Sequence, residues 1–142
     1  MFCLSDPEIE RIGAGLTART LPKSEWTHAA HWAAALWLLT RHGDDAMQQM
    51  PDLIRAYNEA VGVANTDSGG YHETITQASL RAARAWLEAY RGLPLHRALE
   101  ALLATAYGSP DWLLAYWSPA VLFSVAARRA WVAPDLQPLP FA

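Results

Sequence analysis

Glu25-Trp-Thr-His28-Ala-Ala-His31 sets three polar side chains three residues apart. On a helix, neighbours at that step lie on adjacent turns, so two imidazoles can reach a common point. Neutral imidazole is the most frequent protein ligand for zinc and several transition metals. A third imidazole comes from Tyr71-His72-Glu73-Thr74-Ile75-Thr76, directly after a Gly-Gly loop. If that face opposes the His28 stripe, His28, His31 and His72 supply three nitrogens to one divalent metal, zinc or iron. Three histidines and a water suit zinc hydrolytic chemistry, whereas two histidines and a carboxylate suit iron(II). Glu25 and Glu73 are the carboxylates placed to assist, as ligand or general base. Glu73 points about a quarter-turn from His72, which favours orienting a ligand or carrying a proton. Glu25-x-x-His28 is also half of a di-iron motif, but the chain holds no second Glu-x-x-His, which argues against two irons.

The same residues support two other readings. A non-catalytic module would use the imidazoles, Thr76 and neighbouring indoles, with Trp26 and Trp32 as walls, to hold a small polar-aromatic molecule. A helical interaction or homodimerisation subunit would need the histidines only to satisfy one another and the backbone. The run Asn65-Thr66-Asp67-Ser68-Gly69-Gly70 precedes a helix and could turn backbone N–H groups toward an anion. It lacks the lysine and glycine spacing of nucleotide loops, so an ordinary loop with local side-chain turns is the simpler account. His42 and His96 read as structural or exposed, Cys3 as a poor nucleophile, and Arg128-Arg129 as a solvated pair able to anchor a neighbouring segment.

Helices must position these residues. Ser5-Asp6-Pro7 starts a first helix that ends near Thr20. Ser24 can cap a second over Glu25 to His42, closed by Gly43. On it His28, His31, Ala35, Leu38 and His42 share a stripe that points inward. Asp44 to Gly62 is helical, with Pro51 forcing a kink or a fresh start. Tyr71 to Arg91 gives a fourth helix, with His72, Thr76 and Ser79 on one face, and Pro94 to Tyr107 a fifth. Further segments begin at Asp111 and span Val121 to Val132, and the proline-rich end from Ala133 is extended. No stretch alternates with a strand's period, so the chain reads as one all-α domain over residues 1–142, an irregular bundle of five to seven helices.

Composition fits that reading. The 142 residues are 52% hydrophobic and 18% charged, which suits a packed core and argues against disorder. Seven tryptophans supply large anchoring side chains that each keep one N–H donor. A net charge of −3 with scattered basic residues offers no field for a nucleic acid backbone. One cysteine rules out an internal disulfide and points to a reducing cytoplasm. The apolar segment Trp32 to Leu39 is too short to span a bilayer.

Three motifs together, Trp26-Thr-His-Ala-Ala-His31, Tyr71-His-Glu-Thr-Ile-Thr76 and Pro134-Asp-Leu-x-Pro-Leu-Pro140, resemble those of a family of small uncharacterised bacterial helical proteins. The resemblance covers nearly the whole chain. It implies that the three segments belong to one design and draws attention to His28, His31, His72 and Glu73, without bringing a reaction, substrate or metal. A second likeness, to helical-bundle metalloproteins of the damage-inducible type with three histidines on different helices, departs in spacing and in the tail.

Overall fold

The second helix is the centre of the molecule because it is apolar on nearly every side. In this computed structural model, which describes residues 4–141, it is α2 (His28–His42), after α1 (Asp6–Ala18). Ala30 and every residue from Trp32 to Leu39 are buried, as expected of a helix with no polar face. It packs against α1, α3 (Ala46–Ala60), α4 (Glu73–Ala89) and α5 (Leu95–Leu103). The short helices α6 (Pro119–Leu122) and α7 (Val125–Arg129) complete seven helices, and α7 lies on α4. Among the described residues there is no strand, so the all-α bundle is observed. Among the described residues no helix is long and apolar enough to cross a membrane.

Local chemistry explains most boundaries. α1 opens on a reciprocal cap, with Ser5 and Glu8 each accepting the other's backbone N–H. Gly13 lets α1 approach α2 closely: a Cβ there would lie 2.3 Å from Cδ2 of Trp37. α2 starts three residues later than its sequence suggests. Lys23–Glu25 forms a 3-10 turn, and Thr27 rather than Ser24 caps the helix by accepting the Ala30 N–H at 3.2 Å. Pro51 sits inside α3. The carbonyl of Met47, four residues before it and deprived of a helical donor, accepts instead from Nε2 of Gln77 on α4 at 3.2 Å.

α5 is shorter than the expected Pro94 to Tyr107. After Leu103 the chain tightens into 3-10 turns at Ala106–Gly108 and Pro110–Ala115. Gly108 approaches the Leu103 carbonyl too closely for any side chain, with a Cβ there falling 2.1 Å from that oxygen. This turn delivers the Tyr107 carbonyl to α2. The expected helix Val121 to Val132 is broken at Ser124, which caps α7 through the Ala127 N–H. The tail lacks regular structure and is pinned to the body: Leu136 N–H and Gln137 Nε2 donate to the carbonyls of Tyr116 and Ala115 at 2.9 and 2.8 Å. Asp135 accepts the Ser118 N–H at 2.8 Å. Cys3 and Ala142 lie outside the described residues.

Candidate functional site

His28 is the first residue of α2, where its ring reaches the turn after α5. Its Nε2 lies 2.8 Å from the Tyr107 carbonyl, and Nε1 of Trp32 lies 2.9 Å from the same oxygen. A carbonyl only accepts, so His28 carries its proton on Nε2 and the two rings share both lone pairs of one oxygen. Their 3.2 Å separation follows from that shared acceptor. Nδ1 of His28 is left as a lone pair, with no partner among the described residues.

One turn on, His31 donates from Nδ1 to the Thr27 carbonyl at 2.7 Å. Its ring stacks on Trp26 with centroids 3.8 Å apart. The tautomer is therefore fixed, and Nε2 is an acceptor with no partner among the described residues. His31 is accessible to solvent yet crowded by protein on most sides. That combination arises on the wall of a cleft, and crowding pushes the imidazole down to about 4.

The cleft is a cavity of about 340 Å³. His28, His31, Trp32 and Ala35 of α2 form one wall, with Ile75, Thr76, Ser79 and Leu80 of α4 opposite. Met50 of α3 and Pro110, Trp112 and Leu113 of the last 3-10 turn close it. Trp32 and Trp112 pack at 5.9 Å between centroids, and Tyr107 meets both edge-on. Such a space, mostly apolar and aromatic with a few polar atoms, has the size and character of a small-molecule site.

The third imidazole is elsewhere. His72 is not on the cavity wall, and both of its ring nitrogens are engaged: Nδ1 accepts the Ile75 N–H at 3.2 Å, and Nε2 donates to the Leu122 carbonyl at 2.7 Å. It is the buried N-cap of α4 and a tether to α6. Glu25 lies off the helix in the 3-10 turn and pairs with Arg11 at 2.6 Å. Glu73 accepts the Tyr71 hydroxyl, and burial together with that bond raises the phenol's pKa. Among the described residues no three His, Cys, Asp or Glu side chains are grouped to hold a metal ion. The expected set His28, His31 and His72 therefore does not converge.

The loop before α4 makes its own anion contacts. Arg129 holds Asp67 through two bonds of 2.8 and 2.6 Å, and Arg128 donates to the Gly70 and Tyr71 carbonyls. Gly70, at φ +77°, sits where a Cβ would strike the Ala64 carbonyl at 2.5 Å. His96 pairs with Asp6 at 3.1 Å, and His42 is exposed at the end of α2. Reasoning from sequence missed Met50, Pro110, Trp112 and Leu113, which the α3 and 3-10 backbones bring in from a distance. For Ser79 the signal was present, since it shares a helix face with Thr76.

Acid should loosen this structure. Desolvation lowers the pKa of both His31 and His72 below the ordinary value of about 6.5. The unfolded chain then binds more protons than the folded one as pH falls through 6.5. The stability these two neutral rings contribute is fully present above about pH 6.5 and is lost as pH falls below it, for His31 down to about 4. Thermal melts at pH 7.5, 6 and 5 are expected to show the midpoint falling by a few degrees. His31→Gln should flatten that decline; an unchanged slope in the variant would show that this ring titrates normally.

Comparison with protein families, with curated proteins and with solved structures finds no match for this chain, so the reading of the site rests on its geometry.

Proposed function

We propose that this protein binds a small, mostly apolar molecule in the cavity between α2, α4, α3 and the Pro110–Ala115 turn. The observation that carries the reading is an aromatic-walled cavity of about 340 Å³ where His31 leaves one ring nitrogen without a protein partner. Indole and aliphatic walls supply the affinity by removing apolar surface from water, and the few polar atoms set orientation. A divalent metal, zinc or iron, would find two imidazoles here and would draw its remaining ligands from the bound molecule. His72, Glu25 and Glu73 are held by other partners. The single cysteine suits a protein of the reducing cytoplasm.

Naphthalene tests the reading, because a rigid bicyclic ring fills such a space without any polar contact. Titrated into labelled protein, it should shift resonances of His31, Thr76, Ser79 and Trp112 as one saturable set. Ile75→Trp, which places an indole into the same space, should abolish the shifts while the protein stays folded. Shifts scattered over the surface, or undiminished in that variant, would overturn the proposal.

A further inference from the structure

The hydrogen-bonding sense of the cavity wall specifies what kind of polar group it can receive. On α2, His31 offers a lone pair at Nε2, because its proton is on Nδ1 and held by the Thr27 carbonyl. His28 likewise keeps a lone pair at Nδ1, its proton being held by the Tyr107 carbonyl. On α4, the Ser79 hydroxyl donates to the Ile75 carbonyl at 2.7 Å. The Thr76 hydroxyl stands one turn before Ser79 on the same wall and can both donate and accept.

Three polar side chains on two facing helices, His28, His31 and Ser79, thus have their hydrogens turned into the protein and lone pairs left over. Among the described wall residues, the indole N–H of Trp112 has no protein partner. Among the described residues no lysine or arginine lines the cavity, so a bound anion would meet mostly lone pairs. A carboxylate entering there would lose its hydration and gain little in return. An ammonium would also lose its hydration, with no anion on the wall to replace it. A neutral O–H or N–H group meets neither penalty.

Resting on the binding role proposed above, we infer that the cavity selects neutral ring compounds bearing hydroxyl or N–H donors, and rejects carboxylates of the same shape. The probes are naphthalene, 2-naphthol, 2-methoxynaphthalene and 2-naphthoate, titrated into the full chain at pH 7.5 with dissociation constants read by calorimetry or indole fluorescence. 2-Naphthol should bind about tenfold more tightly than naphthalene and than the methyl ether, which keeps the oxygen but lacks the hydrogen. 2-Naphthoate should bind more weakly than naphthalene. Thr76→Val with Ser79→Ala should lower the ratio of 2-naphthol to naphthalene affinity, the lone pairs of His28 and His31 sustaining the remainder, and a thermal melt matching that of the unmodified protein shows that the variant folds. If naphthalene binds but the ether or the naphthoate equals 2-naphthol, the selectivity inference is overturned and the binding role stands. If neither naphthalene nor 2-naphthol binds, the binding role falls and this inference with it.

Discussion

His72→Ala is expected to lower the melting temperature by about 5–15 °C while leaving naphthalene affinity, measured well below the transition, within about twofold. The imidazole does two structural jobs. Nδ1 caps α4 by accepting the Ile75 N–H, and losing such a cap costs about 0.5–2 kcal/mol. Nε2 donates to the Leu122 carbonyl, and abandoning a buried acceptor adds about 1–3 kcal/mol. The sum, about 1.5–5 kcal/mol, is a large share of a domain's stability. His72→Asn separates the two roles. Asparagine caps a helix well but is too short to reach α6, so it should recover roughly half of the loss. A large drop in ligand affinity with an unchanged melting temperature would instead return His72 to the cavity.

The misplacement of His72 shows what a linear sequence conceals. Its helix-start position was legible, from a Gly-Gly loop followed by an amphipathic run, but the face it was expected to share with Thr76 and Ser79 was not, since those two line the cavity and His72 does not. Nothing local says that the ring would turn back to cap its own helix, nor that the Leu122 carbonyl, fifty residues later, would be waiting for the other nitrogen. Histidine is an uncommon cap, so the usual Ser, Thr, Asp and Asn signals pointed elsewhere. Glu25 was misread for a related reason. Placing it on the helix with His28 assumed a cap at Ser24, whereas the Thr27 hydroxyl starts the helix and Arg11 of α1 captures the carboxylate. Hydrophobic periodicity survived these errors because it is redundant over many residues. It gave the helical class, the apolar run of α2 and the adjacency of His28 and His31, which the structure places on one cavity wall. The wall formed by Pro110, Trp112 and Leu113 depends on how a 3-10 turn folds back after Gly108, which no period encodes.

Trp32→Ala should cost more than any cap, about 3–5 kcal/mol, and lower the melting temperature by about 9–15 °C. The indole is 2% exposed, packs against Tyr107 and Trp112 at 5.9 Å each, and donates its N–H to the Tyr107 carbonyl. Removing it leaves His28 as the sole side-chain donor to that carbonyl and opens a void continuous with the existing cavity. Trp32→Phe tests the two contributions separately. Phenylalanine keeps most of the packing and loses the N–H, so its expected cost is about 1–2 kcal/mol. Because the new void has the shape of the deleted ring, free indole should bind it and raise the melting temperature of the alanine variant with concentration, by the mass action of a ligand that binds only the folded state. The natural cavity already leaves room beside Trp32, so indole should stabilise the unmodified protein as well, but less. A variant whose melting temperature ignores indole would mean that α2 and the Pro110–Ala115 turn collapse together when the tryptophan is lost. The walls would then be held apart by Trp32 itself, and the cavity would exist because this side chain props it open.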